Sequence, residues 1–415
     1  MSDLLSVSDA LARLLAVFNP TPLERLPLAQ ALGRVTASEI SASLDLPPFT
    51  NSAMDGFALR AVDVAGASRT NPQTLAVAAD IPAGASSSAA IAPGQAARIM
   101  TGAAIPAGAD AVIPVEDTDC AARGTDFPLP AQVRVYRALS PGAHIRRQGE
   151  DTRAGDLLFQ PGCRLRPQDV GLLAMLGVSQ APVHRLPQAA IVSSGDELLP
   201  VEETLRPGFI HDSNTYMLAA LVESAAARPF NLGVAADRPE AVQERLDRAA
   251  ALGVDLILSS AGVSVGAFDY VRQVVQAHGQ LDFWRVNMRP GKPIAFGAYR
   301  GIPFIGLPGN PVSAFVGFEV FVRPALYRLA GLLNWRRQPL RVRLLEPLET
   351  DGRETFLRAF VHFEDGEWQA RLAGHQGSGN LRGFTLANAL LIVPSAVKSP
   401  PTGAELDAWL LDDPR

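Results

Sequence analysis

A multidomain fold combining α/β and β architecture is predicted for this chain of 415 residues. It comprises a central doubly wound α/β domain with a parallel-rich sheet, an inserted mostly-β domain, a helical linker domain and a small C-terminal β-barrel. Three observations predict it. From Pro187 onward, apolar runs of strand length alternate with amphipathic stretches of helix length, which implies a parallel sheet covered by helices on both faces. Between about residues 47 and 145, short β-like runs are separated by Pro-Ala-Gly and Pro-Gly turns, with helical patterns on either side. From 338 to 412 apolar and polar residues alternate, as in a small barrel or sandwich.

The elements follow in order. Leu4, Leu11, Leu14, Leu15 and Phe18 stand at helical spacing, and Pro27 to Val35 repeats an amphipathic turn pattern. Thr74-Leu-Ala-Val-Ala and Ala111-Val-Ile-Pro-Val are the strand-like runs of the insert, and Pro161 to Val178 returns to a helical pattern. The linker domain is therefore expected from 1–46 plus 146–186, with the β insert at 47–145. In the α/β domain, 187–333, strand Ala189–Ser193 leads to helix Ser213–Arg228, and strand Phe230–Val234 to helix Pro239–Leu252. Strand Asp255–Ser259 leads to helix Phe268–His278, and a long helix Pro311–Leu329 closes the unit. Leu340-Arg-Val-Arg-Leu and Phe356-Leu-Arg-Ala-Phe-Val-His-Phe begin the last domain, 334–415.

A formal charge of −5 argues against a general nucleic-acid binder, which needs a basic face. Two cysteines, Cys120 and Cys163, stand in no metal or redox spacing. The start, Met1-Ser-Asp-Leu-Leu, lacks a basic region, so no signal peptide is expected. The most apolar long stretch, Pro311 to Tyr327, is interrupted by Glu319 and Arg323, so no membrane span is expected. A cytoplasmic protein is the expectation from these features.

The chemistry concentrates at turns beside strands. Ser193-Ser-Gly-Asp-Glu197 follows the first strand of the α/β domain, where a Gly lets backbone approach a ligand and the acids could hold Mg²⁺. Taken alone, it reads more readily as a simple turn that caps the next element, because loop Gly-Asp pairs are common. Asp237 and Asp269 end the next two strand runs, and acids at successive strand ends converge on one crevice. Asp237 could also be a helix cap before Pro239. Arg289-Pro-Gly-Lys-Pro293 fixes two cations on a rigid turn, and Asn310-Pro-Val-Ser313 opens a helix whose N-terminus attracts anions. Asn51, Ser52 and Asp55 lie between apolar anchors, in the manner of a ligand loop. Arg146-Arg-Gln-Gly-Glu-Asp151 reads either as a surface salt-bridge cluster or as part of a site. The dispersed histidines give no zinc spacing, and no P-loop motif is present. Together these features suggest an enzyme for a phosphate-bearing or oxyanionic small molecule.

In order along essentially the whole chain, Asn51-Ser-Ala-Met-Asp-Gly-Phe, Thr101-Gly-Ala, Ala107-Gly-Ala-Asp-Ala-Val, Arg147-Gln-Gly-Glu-Asp, Ser194-Gly-Asp-Glu, Gly262-Val-Ser-Val-Gly, Pro290-Gly-Lys-Pro and Leu307-Pro-Gly-Asn-Pro-Val-Ser resemble the molybdopterin molybdenumtransferase (MoeA) family. That family includes the E domain of gephyrin. The resemblance implies an elongated homodimer of four-domain subunits. It implies a molybdenum insertase that uses Mg²⁺, takes adenylylated molybdopterin and molybdate, and releases molybdenum cofactor and AMP. Asp55, Asp151, Glu197, Asp237 and Asp269 would be catalytic, with Glu197, Asp237 and Asp269 on the metal and Asp55 reaching in from the partner subunit. Thr101, Arg147, Ser194, Gly195, Gly262, Ser264, Gly266, Pro290, Gly291 and Asn310 would bind the pterin substrate. Arg289, Lys292, Ser313, Arg358 and Ser378 would hold molybdate. Transient contact with the molybdopterin adenylyltransferase and with molybdoenzyme maturation proteins is also implied. Arg289, Thr50, Ser194 and Ala261 depart from the family's usual residues. A tungstate-specific paralogue and a non-catalytic scaffold retaining the fold are the alternatives.

Overall fold

The computed structural model describes residues 4–85, 90–121, 128–260 and 270–411. Two compact units arise, one from Glu39–Gln160 and Gly171–Ser179, the other from Met1–Ser38, Pro161–Val170 and Gln180–Arg415.

The first of these is built on a five-stranded sheet in the order Ala111–Pro114, Gly56–Leu59, Gln95–Ile99, Gln73–Ile81, Gln132–Val135. All its pairings are antiparallel except that of Gln73–Ile81 with Gln95–Ile99. Along Gly56–Leu59, Phe57 and Leu59 join one apolar cluster and Ala58 another, so the central strand is buried on both faces. Gly56 is dictated by this packing: a Cβ there would lie 1.9 Å from the Ile113 carbonyl oxygen.

In the larger unit, helix α1, Val7–Leu15, is capped by Ser6, whose hydroxyl accepts the Asp9 N–H at 3.0 Å. It buries Val7, Ala10, Leu14 and Leu15. Pro27 to Val35 contains only a single 3₁₀ turn, Leu28–Gln30. The preceding Leu23–Pro27 pairs with Gln180–His184 instead, and the left-handed Gly33 stops any helix.

The α/β sheet comprises β1 Gln188–Ser194, β2 Arg228–Ala235, β3 Leu256–Ser260, β4 Gly279–Arg285, β5 Pro293–Tyr299 and β6 Ile302–Leu307. Their spatial order is β2-β1-β3-β6-β5-β4. The first four are mutually parallel, and β5 runs antiparallel to both its neighbours. Helices α2 Asn214–Ser224, α3 Pro239–Leu252, α4 Tyr270–His278, α5 Pro311–Gly317 and α6 Arg323–Leu329 cover it. Ala189, Ile191, Leu256 and Leu258 pack on one side with α1, α2, α5 and α6. Ala190, Val192 and Ile257 pack on the other with α3 and α4. This odd–even division makes the sheet doubly wound, with helices on both faces.

Two features differ from the sequence pattern. The β4–β5–β6 meander was not expected, because Pro and Gly interrupt its alternation; its tight turn has Arg300 and Gly301 both at positive φ. The long helix Pro311–Leu329 carries a π segment, Phe318–Val322, in its middle.

Strands β7 Leu340–Leu344, β8 Glu354–Glu364, β9 Glu367–Leu372, β10 Ala389–Val393 and β11 Glu405–Leu410 form the last domain. They close as β8-β9-β7-β11-β10 and back to β8, so the structure is a barrel and not a sandwich. Met288–Arg289 adds alongside β8, pairing with Glu354 and Thr355.

Candidate functional site

The carboxyl ends of β1, β3 and β6 open into a cavity of about 510 Å³, lined by Ser194, Glu197, Asp212, Asn214, Ser260 and Asn310 among others. Its floor is a run of buried hydrogen bonds. Ser193 and Thr215 hydroxyls lie 2.8 Å apart, and Asn214 Nδ2 donates to Ser260 Oγ and to the Gly309 carbonyl, both at 2.7 Å. Asp212 accepts the Thr215 N–H at 3.1 Å and so holds the start of α2. Asp212, Asn214, Thr215 and Ser260 were not among the residues expected at the site. The Asp212-Ser-Asn-Thr run was the available signal, but it resembles any helix cap.

Acids gather at the mouth. Asp196 and Asp237 exchange main-chain-to-carboxylate hydrogen bonds, and Gly195, at φ +148°, leaves space that the Glu197 carboxylate occupies. A Cβ on Gly195 would come within 2.6 Å of Glu197 Oε2. Burial raises the Asp237 pKa, and the negative charges of Asp196 and Glu197 raise it further against the Asp196 N–H. Asp237 thus belongs with Glu197, as the strand-end rule expects, and Asp196 joins them. Asp269, Gly262, Ser264 and Gly266 lie outside the described residues, as does Ala261. Among the described residues, no three acidic, imidazole or thiol groups are set together as a ready metal site.

Asn310 and Pro311, at the start of α5, also line the cavity, and the turn that bears Arg289 and Lys292 comes near this helix start. Asn310 occupies the cap position of α5, although its side chain makes no capping bond, and Pro311 follows at the first turn. The α5 N-terminus is met by two loops. The Ser378 carbonyl accepts the Val312 N–H at 3.2 Å, and a Cβ on Gly291 would lie 3.6 Å from the carbonyl oxygen of the buried Ser313. Gly291, between Pro290 and Lys292, and Ser378 therefore both approach the first turn of α5. Lys292 is exposed and, among the described residues, forms no ion pair. Arg289 is half exposed and reaches Asp351 at 3.8 Å. Asp351 is held chiefly by Arg353, which draws its pKa down to about 2. Arg358 is 2% exposed; its Nη2 donates to the His375 and Gly377 carbonyls at 2.8 and 3.3 Å. Its Nε is buried without an acceptor, and burial lowers its pKa. Arg358 thus braces the loop that leads to Ser378.

In the smaller unit, Asp55 Oδ1 accepts the Thr101 N–H at 2.6 Å and the Thr101 hydroxyl at 2.7 Å, which lowers the Asp55 pKa. Asn51 and Ser52 form a short strand against Ile145–Arg146, where a ligand loop was expected. Thr50 Oγ1 accepts the Gln148 N–H at 3.2 Å, and the Arg147 N–H donates to Glu150 at 2.8 Å. Asp151 donates its N–H to the Leu46 carbonyl. Among the described residues, neither Arg146 nor Arg147 forms an ion pair, so this turn is not a salt-bridge cluster.

Comparison with known proteins agrees with the geometry. Residues 5–177 match the MoeA N-terminal region (domain I and II), 190–328 a probable molybdopterin binding domain, and 341–411 the MoeA C-terminal region (domain IV). The chain is 40% identical over 393 residues to molybdopterin molybdenumtransferase 2 of Mycobacterium tuberculosis, covering 92% of this chain and 94% of that one. It is 38% identical over 378 residues to the molybdopterin molybdenumtransferase of Nostoc sp., covering 89% and 85%. The crystal structure of the molybdopterin biosynthesis MoeA protein from Pyrococcus horikoshii has a TM-score of 0.81 at 31% identity, over 98% of this chain and 100% of that one. With all three regions matched in register, the chain belongs to the molybdopterin molybdenumtransferase (MoeA) family and is a molybdotransferase of molybdenum cofactor biosynthesis.

Proposed function

We propose that this enzyme takes adenylylated molybdopterin and molybdate, cleaves the phosphoanhydride, and releases molybdenum cofactor and AMP. One observation carries the reading. One crevice is lined by Glu197 and Asp212 near the end of β1 and by Asn310 and Pro311 at the α5 N-terminus, where Gly291 of the cationic turn approaches Ser313. The acidic side suits a metal-bound anhydride and the cationic side suits an oxyanion, so the two halves of the reaction are served by two sides.

Mg²⁺ fits the acidic side: the donors are hard carboxylate oxygens, and burial, with the negative charges of Asp196 and Glu197, raises the Asp237 pKa. Glu197 and Asp237, with Asp269, would hold it. When bound, the ion neutralises charge on the anhydride. The chain's own residues do the rest. Ser194 and Gly195 let the substrate approach the end of β1. Lys292, Arg289 and Ser313 attract and orient molybdate at α5, and Arg358 fixes the loop bearing Ser378. Asp55, fixed by Thr101, is assigned to the site from the partner subunit of a homodimer, together with Arg147 and Asp151. The adenylyltransferase that makes the substrate would dock transiently, as would molybdoenzyme maturation proteins, in the cytoplasm. No helix among the described residues is long and apolar enough to cross a membrane.

The test is to incubate the purified protein with adenylylated molybdopterin, Mg²⁺ and molybdate, and to measure AMP and active cofactor. Equal amounts of both, dependent on all three additions, are expected. Cofactor formed without AMP would overturn the proposal.

A further inference from the structure

The 374–380 loop, which brings Ser378 to the α5 start, is tied down from two directions. From β8, Arg358 donates to the His375 and Gly377 carbonyls. The Arg358 N–H also donates to Gln376 Oε1 at 3.0 Å, and Gln376 Nε2 donates back to the Arg358 carbonyl at 3.1 Å. From α5, the Val312 N–H donates to the Ser378 carbonyl. Asn380 Nδ2 closes the loop on the His375 carbonyl at 2.8 Å. These bonds use amides, carbonyls and a guanidinium, none of which changes its proton near neutral pH.

One bond of the loop is different. The Gly377 N–H donates to His375 Nδ1 at 3.0 Å. A side-chain acceptor two residues before the amide is the geometry of an Asx turn, usually made by Asn or Asp. Here an imidazole makes it. The ring folds onto its own loop so closely that a Cβ on Gly377 would come within 2.4 Å of His375 Cε1. The bond requires Nδ1 to be without a proton, so the ring carries its hydrogen on Nε2. A protonated ring would turn a donor toward the Gly377 N–H, and the bond would be lost. Arg358 is the charged group packed on this loop from β8, Pro311–Gly317 contains none, and the turn bearing Arg289 and Lys292 approaches the same helix start. Among the described residues no carboxylate pairs with the ring.

We infer that His375 is a positioning residue for the oxyanion site: its imidazole, bare at Nδ1, fixes the backbone one residue before Ser378, and acid releases that hold. The inference rests on the reading above that molybdate is received at Ser313 and Ser378.

The experiment titrates molybdate into the full-length protein by calorimetry at about pH 8 and about pH 5.5, which span the titration of imidazoles. It uses wild type, His375→Leu and His375→Asn. Asn Oδ1 takes the place of Nδ1 and does not titrate. At the higher pH, His375→Leu is expected to bind about fivefold more weakly, the worth of one hydrogen bond, and His375→Asn to match wild type. On acidification the wild-type affinity should fall relative to that of His375→Asn and meet that of His375→Leu. The concentration of adenylylated molybdopterin for half-maximal rate should be unchanged in both variants, which a general loss of structure would not allow. Circular dichroism checks that the variants fold. Equal molybdate affinity in wild type and folded His375→Leu at the higher pH would overturn the inference. So would a ratio of wild-type to His375→Asn affinity that does not change with pH, or no molybdate binding by wild type. The reaction reading fails separately, if wild type makes cofactor without releasing AMP.

Discussion

Asp196 and Asp237 lock each other by a reciprocal bond: the Asp237 N–H donates to Asp196 Oδ1 at 3.0 Å, and the Asp196 N–H to Asp237 Oδ2 at 3.4 Å. Two strand-end turns are thus held together by their acids. Each carboxylate spends one oxygen on the lock, and among the described residues its other oxygen accepts no hydrogen bond.

Asp237→Ala is expected to abolish AMP release while leaving the fold intact. The pH dependence follows from the raised Asp237 pKa. The native state binds this proton more tightly than the unfolded chain, so stability falls as pH rises from the ordinary carboxylate value of 3.8 through the raised one. Asp237→Asn should therefore be no less stable than wild type at neutral pH. Mg²⁺ should raise the melting temperature of wild type at pH 7 and much less at acid pH, where the proton competes. A Mg²⁺ shift that persists in Asp237→Ala would remove Asp237 from the metal.

Asp55 has the opposite sign. Its pKa is lowered by the Thr101 N–H and hydroxyl, so its contribution to stability is present above 3.8 and is lost as pH falls through the lowered value. Thr101→Val, which removes one of the two bonds, should cost about 1 kcal/mol in chemical denaturation. If subunits share sites, an inactive Asp55→Ala chain mixed with an inactive Asp237→Ala chain should regain activity through hybrid dimers. No recovery after verified subunit exchange would refute sharing.

Lys292→Ala should raise the molybdate requirement steeply and leave the binding of adenylylated molybdopterin nearly unchanged. Removing a cation from an oxyanion site costs about 2 kcal/mol, roughly thirtyfold in affinity. Arg289→Lys keeps the charge at a half-exposed position whose partner Asp351 is already claimed by Arg353, so only a modest change is expected. Cofactor formation against molybdate concentration measures both.

Glu319, in the π segment, is 2% exposed and is shared by Arg323 and Arg337, each at 2.8 Å. Glu319→Gln should destabilise by about 3 kcal/mol, because it strands two cations at a buried site. Urea unfolding of that variant, against wild type, is the measurement. A loss below 1 kcal/mol would mean that the arginines find other acceptors.

Much of this was legible in the sequence because it is periodic. The odd–even apolar code of Ala189 to Val192 announces a strand covered on both faces, and alternation in Phe356–Phe363 announces a barrel wall. Asp237 was legible as a strand-end acid, since its position depends only on where an apolar run stops. Asp196, by contrast, takes its meaning from a partner 41 residues away, and no local pattern encodes that contact. Asn214 was hidden in the same way, inside an ordinary helix start. Arg358 was assigned to molybdate only through the family resemblance; nothing in the alternation of its strand encodes its burial against the His375–Gly377 turn.

The short strand Met288–Arg289 is stitched to the barrel at Thr355, while Pro293, only four residues on, begins β5 of the central sheet. The two cations of the intervening turn therefore sit on a strut with both ends anchored in different bodies of the same unit. The spacing and aim of those two charges are therefore set jointly by the barrel wall and by the central sheet, not by the turn alone.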